Sequence, residues 1–166
     1  MAASTLVTCN LLLFSALSGF AQSEEGGSRT VVFVCEHGSA KSIIAAAYFN
    51  SLANKRGVQY RAIARGTKPD EKIDSKVENN LAADGLDVSS WKPVKVSDKD
   101  VRGAKRVITL APDLSIPKSV SVDKLSEWSN IPSVSQDYES ARQDIVRRVD
   151  DLLQDLNRAV RNSSKP

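Results

Sequence analysis

The sequence predicts an α/β fold in which a parallel sheet lies between two layers of helices. Three observations carry this. Short β-branched runs alternate with helical runs along the chain. The first such run, residues 30–34, is continuously apolar, as in a strand covered on both faces. A long amphipathic stretch then closes the chain, with charged residues on one side only.

The elements follow in order. Residues 30–34 (Thr-Val-Val-Phe-Val) form the first strand, and residues 35–40 have a loop composition. A helix starts at Lys41, with Ile44, Ala47, Tyr48 and Leu52 at helical spacing and Gly57 as a left-handed cap. Residues 58–64 read as a second strand and residues 65–69 as a turn. A second helix over 74–84 turns Val77 and Leu81 inward and stops at Gly85. Residues 86–96 are irregular. Ser97 is an N-cap with Asp100 three residues on. Residues 106–110 are a third buried strand, followed by a loop containing Pro112 and Pro117, and residues 125–128 are a short fourth strand. The terminal helix, 135–161, has Tyr138, Ala141, Ile145, Val149, Leu152 and Leu156 as its inward face. Its arginines (Arg142, Arg147, Arg148, Arg158 and Arg161) interleave with acids as a solvated, salt-bridged face. Trp91 and Trp128 read as core or rim packing.

The 166 residues suit one domain over 30–161. A net charge of +3 with no lysine or arginine stripe argues against nucleic acid and is compatible with an anionic small ligand. Residues 1–21 contain no charged side chain, centre on Leu11-Leu12-Leu13-Phe14 and end in small residues. This predicts a signal peptide cleaved near Ala21, a flexible mature start over 22–29, and export to the periplasm or the outside. A mis-assigned start would instead leave the protein cytoplasmic. The leader is short and broken by Asn10, so no stable membrane span is expected after cleavage. Cys9 would leave with it, and Cys35 would be the one thiol, excluding an intramolecular disulfide.

Strands alternating with helices form right-handed βαβ units, and such sheets bind ligands beyond the carboxyl ends of their strands. Cys35 stands at that end of the first strand. Alone, it would read as a small buried hydrophobe. The run Cys35-Glu36-His37-Gly38-Ser39-Ala40-Lys41-Ser42 changes the reading. A tight loop running into a helix aims successive N–H groups, and the positive end of the helix dipole, at one spot. The same donors favour a thiolate. The backbone of Glu36, His37, Gly38, Ser39, Ala40 and Lys41 is expected to hold an oxyanion, with the Lys41 charge beside it. Ser42 is expected to donate to the sulfur, leaving Cys35 as nucleophile.

Residues 32–50 resemble the low-molecular-weight protein tyrosine phosphatase superfamily, and within it the arsenate reductase branch, whose loop reads Cys-x-His-Asn-Ala-Gly-Arg-Ser. Arg65-Gly66-Thr67-Lys68-Pro69 is similar to that family's Ala-Gly-Thr-x-Pro turn, and Gly85-Leu86-Asp87-Val88-Ser89 to its Gly-Ile-Asp-Ile-Ser. Lys105 to Leu110 resembles its third strand, and Trp128 to Pro132 its Trp-x-x-Asp-Pro region. The resemblance implies a flavodoxin-like three-layer sandwich with four parallel strands in the order 2-1-3-4. It implies cysteine-dependent hydrolysis of a phosphate monoester, or reduction of arsenate, without cofactor or metal.

The chain departs from the family pattern at four places. Lys41 replaces the loop arginine, exchanging a two-pronged grip for a point charge. Gly38 replaces the loop asparagine. Ile131 stands before Pro132, where the phosphatases carry their aspartate general acid. The two further cysteines of thioredoxin-linked reductases are absent, with Ala111, Asp113 and Ile116 in that region, so arsenate reduction would need an external thiol donor. Asp113 and Asp137 are the candidate substitute acids. His37, the only histidine, either protonates the leaving oxygen or orients the loop. Glu36 is expected to face solvent. The leading reading is an enzyme, and the alternative is an oxyanion-binding module on the same scaffold.

Overall fold

The first strand, β1 (Thr30–Cys35), is the centre of the molecule, and its side chains divide between two cores. Successive residues of a strand point to opposite faces. Val31 and Phe33 therefore join the larger core, built with helices α1 (Lys41–Lys55), α2 (Ser75–Ala83) and α4 (Tyr138–Ser163). Val32 and Val34 join a smaller core with Val96, Ala104, Val107 and Val101, the last from the short helix α3 (Asp98–Arg102). Both faces of the sheet are covered, as the apolar run predicts. This computed structural model describes residues 29–163, so the expected leader lies outside the described residues, as does all but residue 29 of the expected flexible start. Among the described residues, no helix is long and apolar enough to cross a membrane.

The sheet has four strands in the order β2-β1-β3-β4, with β2 (Arg61–Gly66), β3 (Arg106–Thr109) and β4 (Leu125–Glu127). All pairings are parallel. The register sets Cys35 opposite Gly66, and Val34 opposite Thr109, so the strands end together around the cysteine. The order 2-1-3-4 and the parallel architecture are those expected.

Several boundaries differ, each for a local reason. β2 begins at Arg61 rather than at 58 because the backbone of Val58 is engaged in ending α1. Gly57 is left-handed (φ +64°), with its N–H on Asn54 O and the Val58 N–H on Ala53 O. That is a Schellman motif, and it turns the chain before a strand can start. The exposed edge of β2 is then met by Asn50, whose side-chain amide donates to Ala62 O (3.0 Å) and accepts from Ala62 N (2.7 Å). α4 begins at Tyr138 rather than 135 because Asp137 caps it, accepting from the N–H and hydroxyl of Ser140. Along α4 Leu153 is buried together with Leu156, whereas Leu152, expected on the inward face, is half-buried. α1 is buried on most sides: Ile43, Phe49 and Ala53 are sealed, while Tyr48 and Leu52 are partly exposed. Trp128 packs on Phe33, with ring centroids 5.5 Å apart.

Candidate active site

Cys35 ends β1, and the chain then turns through residues 36–40 into α1. Its sulfur lies 3.2 Å from the Ser42 hydroxyl oxygen and accepts from the Gly38 N–H at 3.2 Å. Ser42 is fully buried and Cys35 is 7% exposed, so the thiol sits on the floor of a cavity rather than on the surface. The cavity holds about 450 Å³. One wall is largely apolar, from Leu110, Ala111, Ile131 and Val134 with Ser133 and Ser135 beside them; the other is the loop with Asp70 and Asp74.

The loop's conformation follows from where its carbonyls go. Thr67 N donates to Cys35 O (3.1 Å), Lys68 N to Glu36 O (2.8 Å), Asp70 N to His37 O (3.0 Å) and Asp74 N to Ser39 O (3.1 Å). The segment between β2 and α2 thus draws four carbonyls outward. Among the described residues, the N–H groups of Glu36, His37, Ser39, Ala40 and Lys41 donate to no backbone carbonyl. Ala40, the N-cap of α1, offers no side-chain acceptor, so the first amides of the helix are free as well. Unpartnered amides at a helix N-terminus are what anion-binding nests have in common.

Two glycines permit this wrap. Gly38 is left-handed (φ +64°), and a Cβ on it would lie 2.9 Å from Gly66 N; a Cβ on Gly66 would lie 2.8 Å from Gly38 N. The two backbones meet with no room for a side chain between them.

Side chains complete the bracing. The Asp70 carboxylate accepts from the Ser39 hydroxyl at 2.5 Å through one oxygen, and its other oxygen is 3.3 Å from His37 Nδ1. Glu36, half-exposed on the rim, pairs with Lys68 at 3.1 Å. Asp74 caps α2 by accepting from the N–H groups of Lys76 and Val77. Asp70, which directly follows the Arg-Gly-Thr-Lys-Pro turn, is a site residue that the sequence reading does not single out, and Asp74 appears there only as the start of the second helix.

The structure brings Cys35, Glu36, His37, Ser39, Ala40 and Lys41 around one cavity, with Ser42 beneath the sulfur. Lys41 lines it too, but its ammonium donates to Ile131 O at 2.9 Å. Burial lowers its pKa, opposed by the nearby Cys35. Neither expected acid reaches the cavity. Asp113 sits exposed in the turn after β3 with φ +55°. Asp137 is committed to capping α4, and its hydrogen bonds from Ser140 hold its carboxyl below the usual range, which suits a carboxylate and not a proton donor.

The geometry agrees with what the chain is similar to. Residues 30–130 match the family described as low molecular weight phosphotyrosine protein phosphatase. YfkJ from Bacillus subtilis superposes with a TM-score of 0.73 at 18% identity, covering 81% of this chain and 98% of that one. The low molecular weight protein tyrosine phosphatase of T. tengcongensis does so at 0.70 and 20% identity, covering 77% and 99%. An arsenate reductase from Archaeoglobus fulgidus is 26% identical with a TM-score of 0.62, covering 75% and 98%. The matched segment spans more than half of the sequence and contains β1, the cysteine loop, β2, β3 and β4. By that match, the chain belongs to the low molecular weight phosphotyrosine protein phosphatase family.

Proposed function

We propose that the protein is a cysteine-dependent phosphatase whose nucleophile is Cys35 and whose substrate is a phosphate monoester. The observation that carries this is the sulfur itself, 3.2 Å from both the Gly38 N–H and the Ser42 hydroxyl, on the floor of a cavity rimmed by free amides. Those two groups address the sulfur, and the free amides of Glu36, His37, Ser39, Ala40 and Lys41 hold the three non-bridging oxygens. The thiolate attacks phosphorus in line, the bond to the leaving oxygen breaks, and a thiophosphate forms on Cys35. Water then displaces the sulfur, releasing phosphate and restoring the thiolate.

Arsenate fits the same nest, and the likeness to an arsenate reductase supports it as a second substrate. Among the described residues Cys35 is the only cysteine, so an external thiol would have to resolve its adduct. The apolar centre of the leader and the small residues after it support export, away from the cytosolic thiol pool, which favours the phosphatase reading. A non-catalytic oxyanion binder is favoured by one observation: Ile131 before Pro132 brings no carboxyl to the cavity.

Hydrolysis of p-nitrophenyl phosphate by protein lacking the leader, beside Cys35→Ser and with arsenate as competitor, separates these. Turnover lost in Cys35→Ser and inhibited by arsenate is the expected result. No turnover, with phosphate still raising Tm, would make the protein a binder.

A further inference from the structure

A phosphatase needs a proton for its leaving group, and the usual donor position is apolar here. The titratable side chains that line the cavity are Cys35, Glu36, His37, Lys41, Asp70 and Asp74. Most are committed elsewhere. Glu36 accepts from Lys68, Asp74 accepts from two α2 amides, and Asp70 accepts from Ser39. Each of these carboxylates is thus already engaged as a hydrogen-bond acceptor. Lys41 spends one donor on the Ile131 carbonyl and keeps its charge for the anion. His37 remains. Its backbone is fixed by the Asp70 N–H, and its ring is addressed by the Asp70 carboxylate from the Nδ1 side, at 3.3 Å. This is a charge contact rather than a hydrogen bond; it holds the Nδ1 edge of the ring toward Asp70 and leaves Nε2 as the working nitrogen. Nε2 is 3.8 Å from Glu36 Oε2, beyond hydrogen-bond reach, and Glu36 is held by Lys68.

We infer that His37 is the general acid of the reaction and that Asp70 positions it. This rests on the phosphatase reading. As the Cys35 thiolate forms the S–P bond, the imidazolium transfers its Nε2 proton to the departing oxygen, and the product leaves as a neutral phenol or alcohol. His37 is then neutral. In the second half-reaction it takes a proton from the attacking water as the P–S bond breaks, restoring imidazolium and thiolate. Atoms and charge balance over the cycle.

The test is a leaving-group series with the leader-free protein, His37→Gln and Asp70→Asn. Phenyl phosphate releases a phenol of tyrosine-like basicity, whereas 2,4-dinitrophenyl phosphate releases one that departs unprotonated. General acids contribute about 10²–10⁴ in rate, so His37→Gln should lose about a hundredfold or more of kcat on phenyl phosphate and only about threefold on the dinitrophenyl ester. Asp70→Asn should show the same selective loss in smaller degree. A phosphate-induced rise in Tm retained in both variants confirms an intact loop. An equal loss on both esters, or no loss, overturns the inference and leaves the phosphatase reading standing. Wild-type turnover of the dinitrophenyl ester alone also overturns it. Wild-type turnover of neither ester overturns the phosphatase reading and the acid with it.

Discussion

The ammonium of Lys41 donates to the carbonyl oxygen of Ile131 at 2.9 Å, joining the start of α1 to the loop that precedes α4. The residue expected to grip the oxyanion thus holds the far wall of its cavity. An ammonium has three donors, so one bond to Ile131 leaves others for a ligand.

Lys41→Met removes that tie and leaves the carbonyl of Ile131, a 7% exposed residue, without its donor. An unfolding free energy lower by about 1–3 kcal/mol is expected, together with a smaller phosphate-induced rise in Tm. Lys41→Arg should bind phosphate more tightly than the wild type, since a guanidinium can engage two oxygens at once. Thermal shifts over a phosphate titration measure both. A Lys41→Met protein that responds to phosphate like the wild type would make Lys41 a loop tie alone.

Gly66→Ala inserts a Cβ 2.8 Å from Gly38 N and must push the cysteine loop off β2. Overpacking of this kind costs about 1–3 kcal/mol. Gly38→Ala adds about 1–2 kcal/mol for its left-handed backbone. Urea denaturation should rank Gly38→Ala below Gly66→Ala, and both should lose the phosphate-induced rise in Tm.

Arg65 and Asp100 meet through two bonds of 3.0 Å each, clamping β2 to α3, with their side chains 20% and 13% exposed. Burial opposes the charge on Asp100, yet bonds from Arg65 and Ser97 outweigh it and lower its pKa from the ordinary 3.8. A depressed carboxyl stabilises the fold above its unfolded value and loses that contribution as pH falls through the folded value. Asp100→Asn should therefore be less stable than the wild type by about 2 kcal/mol at neutral pH. The gap should narrow once the pH drops below 3.8. Denaturation midpoints from pH 7 down to acid, for the two proteins side by side, measure it.

Leu153→Ala should cost about 2–5 kcal/mol, because a sealed core leucine leaves a cavity. Leu152→Ala, at a half-buried position, should cost about 1 kcal/mol. Equal midpoints in urea would place the α4 stripe where its spacing alone puts it.

That last pair shows where sequence periodicity stops. Tyr138, Ala141, Ile145, Val149 and Leu156 follow a clear stripe, but Leu152 and Leu153 both fit within the scatter of a 3.6-residue period. Contact with the core selects between them. In α1 the spacing of Ile44, Ala47, Tyr48 and Leu52 gives one face, but the alanines and isoleucines surround the helix, so Ile43, Ala45, Ala46 and Phe49 are buried beyond it. β1 and the position of Cys35 were legible because a continuous β-branched run before a Gly-Ser loop has few other interpretations. The start of β2 was not, because Val58 and Tyr60 look like strand residues while their backbone serves the cap of α1. Asp70 was invisible for a different reason. Its role depends on a segment some 30 residues downstream wrapping the cysteine loop, and neither spacing nor propensity encodes that contact. The direction of the Lys41 side chain depends in the same way on the loop before α4.

The four outward-drawn carbonyls of the cysteine loop bear on the thermodynamics of anion capture. A loop that must order itself around its ligand surrenders conformational entropy at the moment of binding. Here the ordering is already imposed by the chain from Thr67 to Asp74 as the domain folds. Calorimetry of phosphate binding should accordingly show little conformational penalty. Cutting any one of the four ties should weaken the anion through entropy before it disturbs a single contact to it.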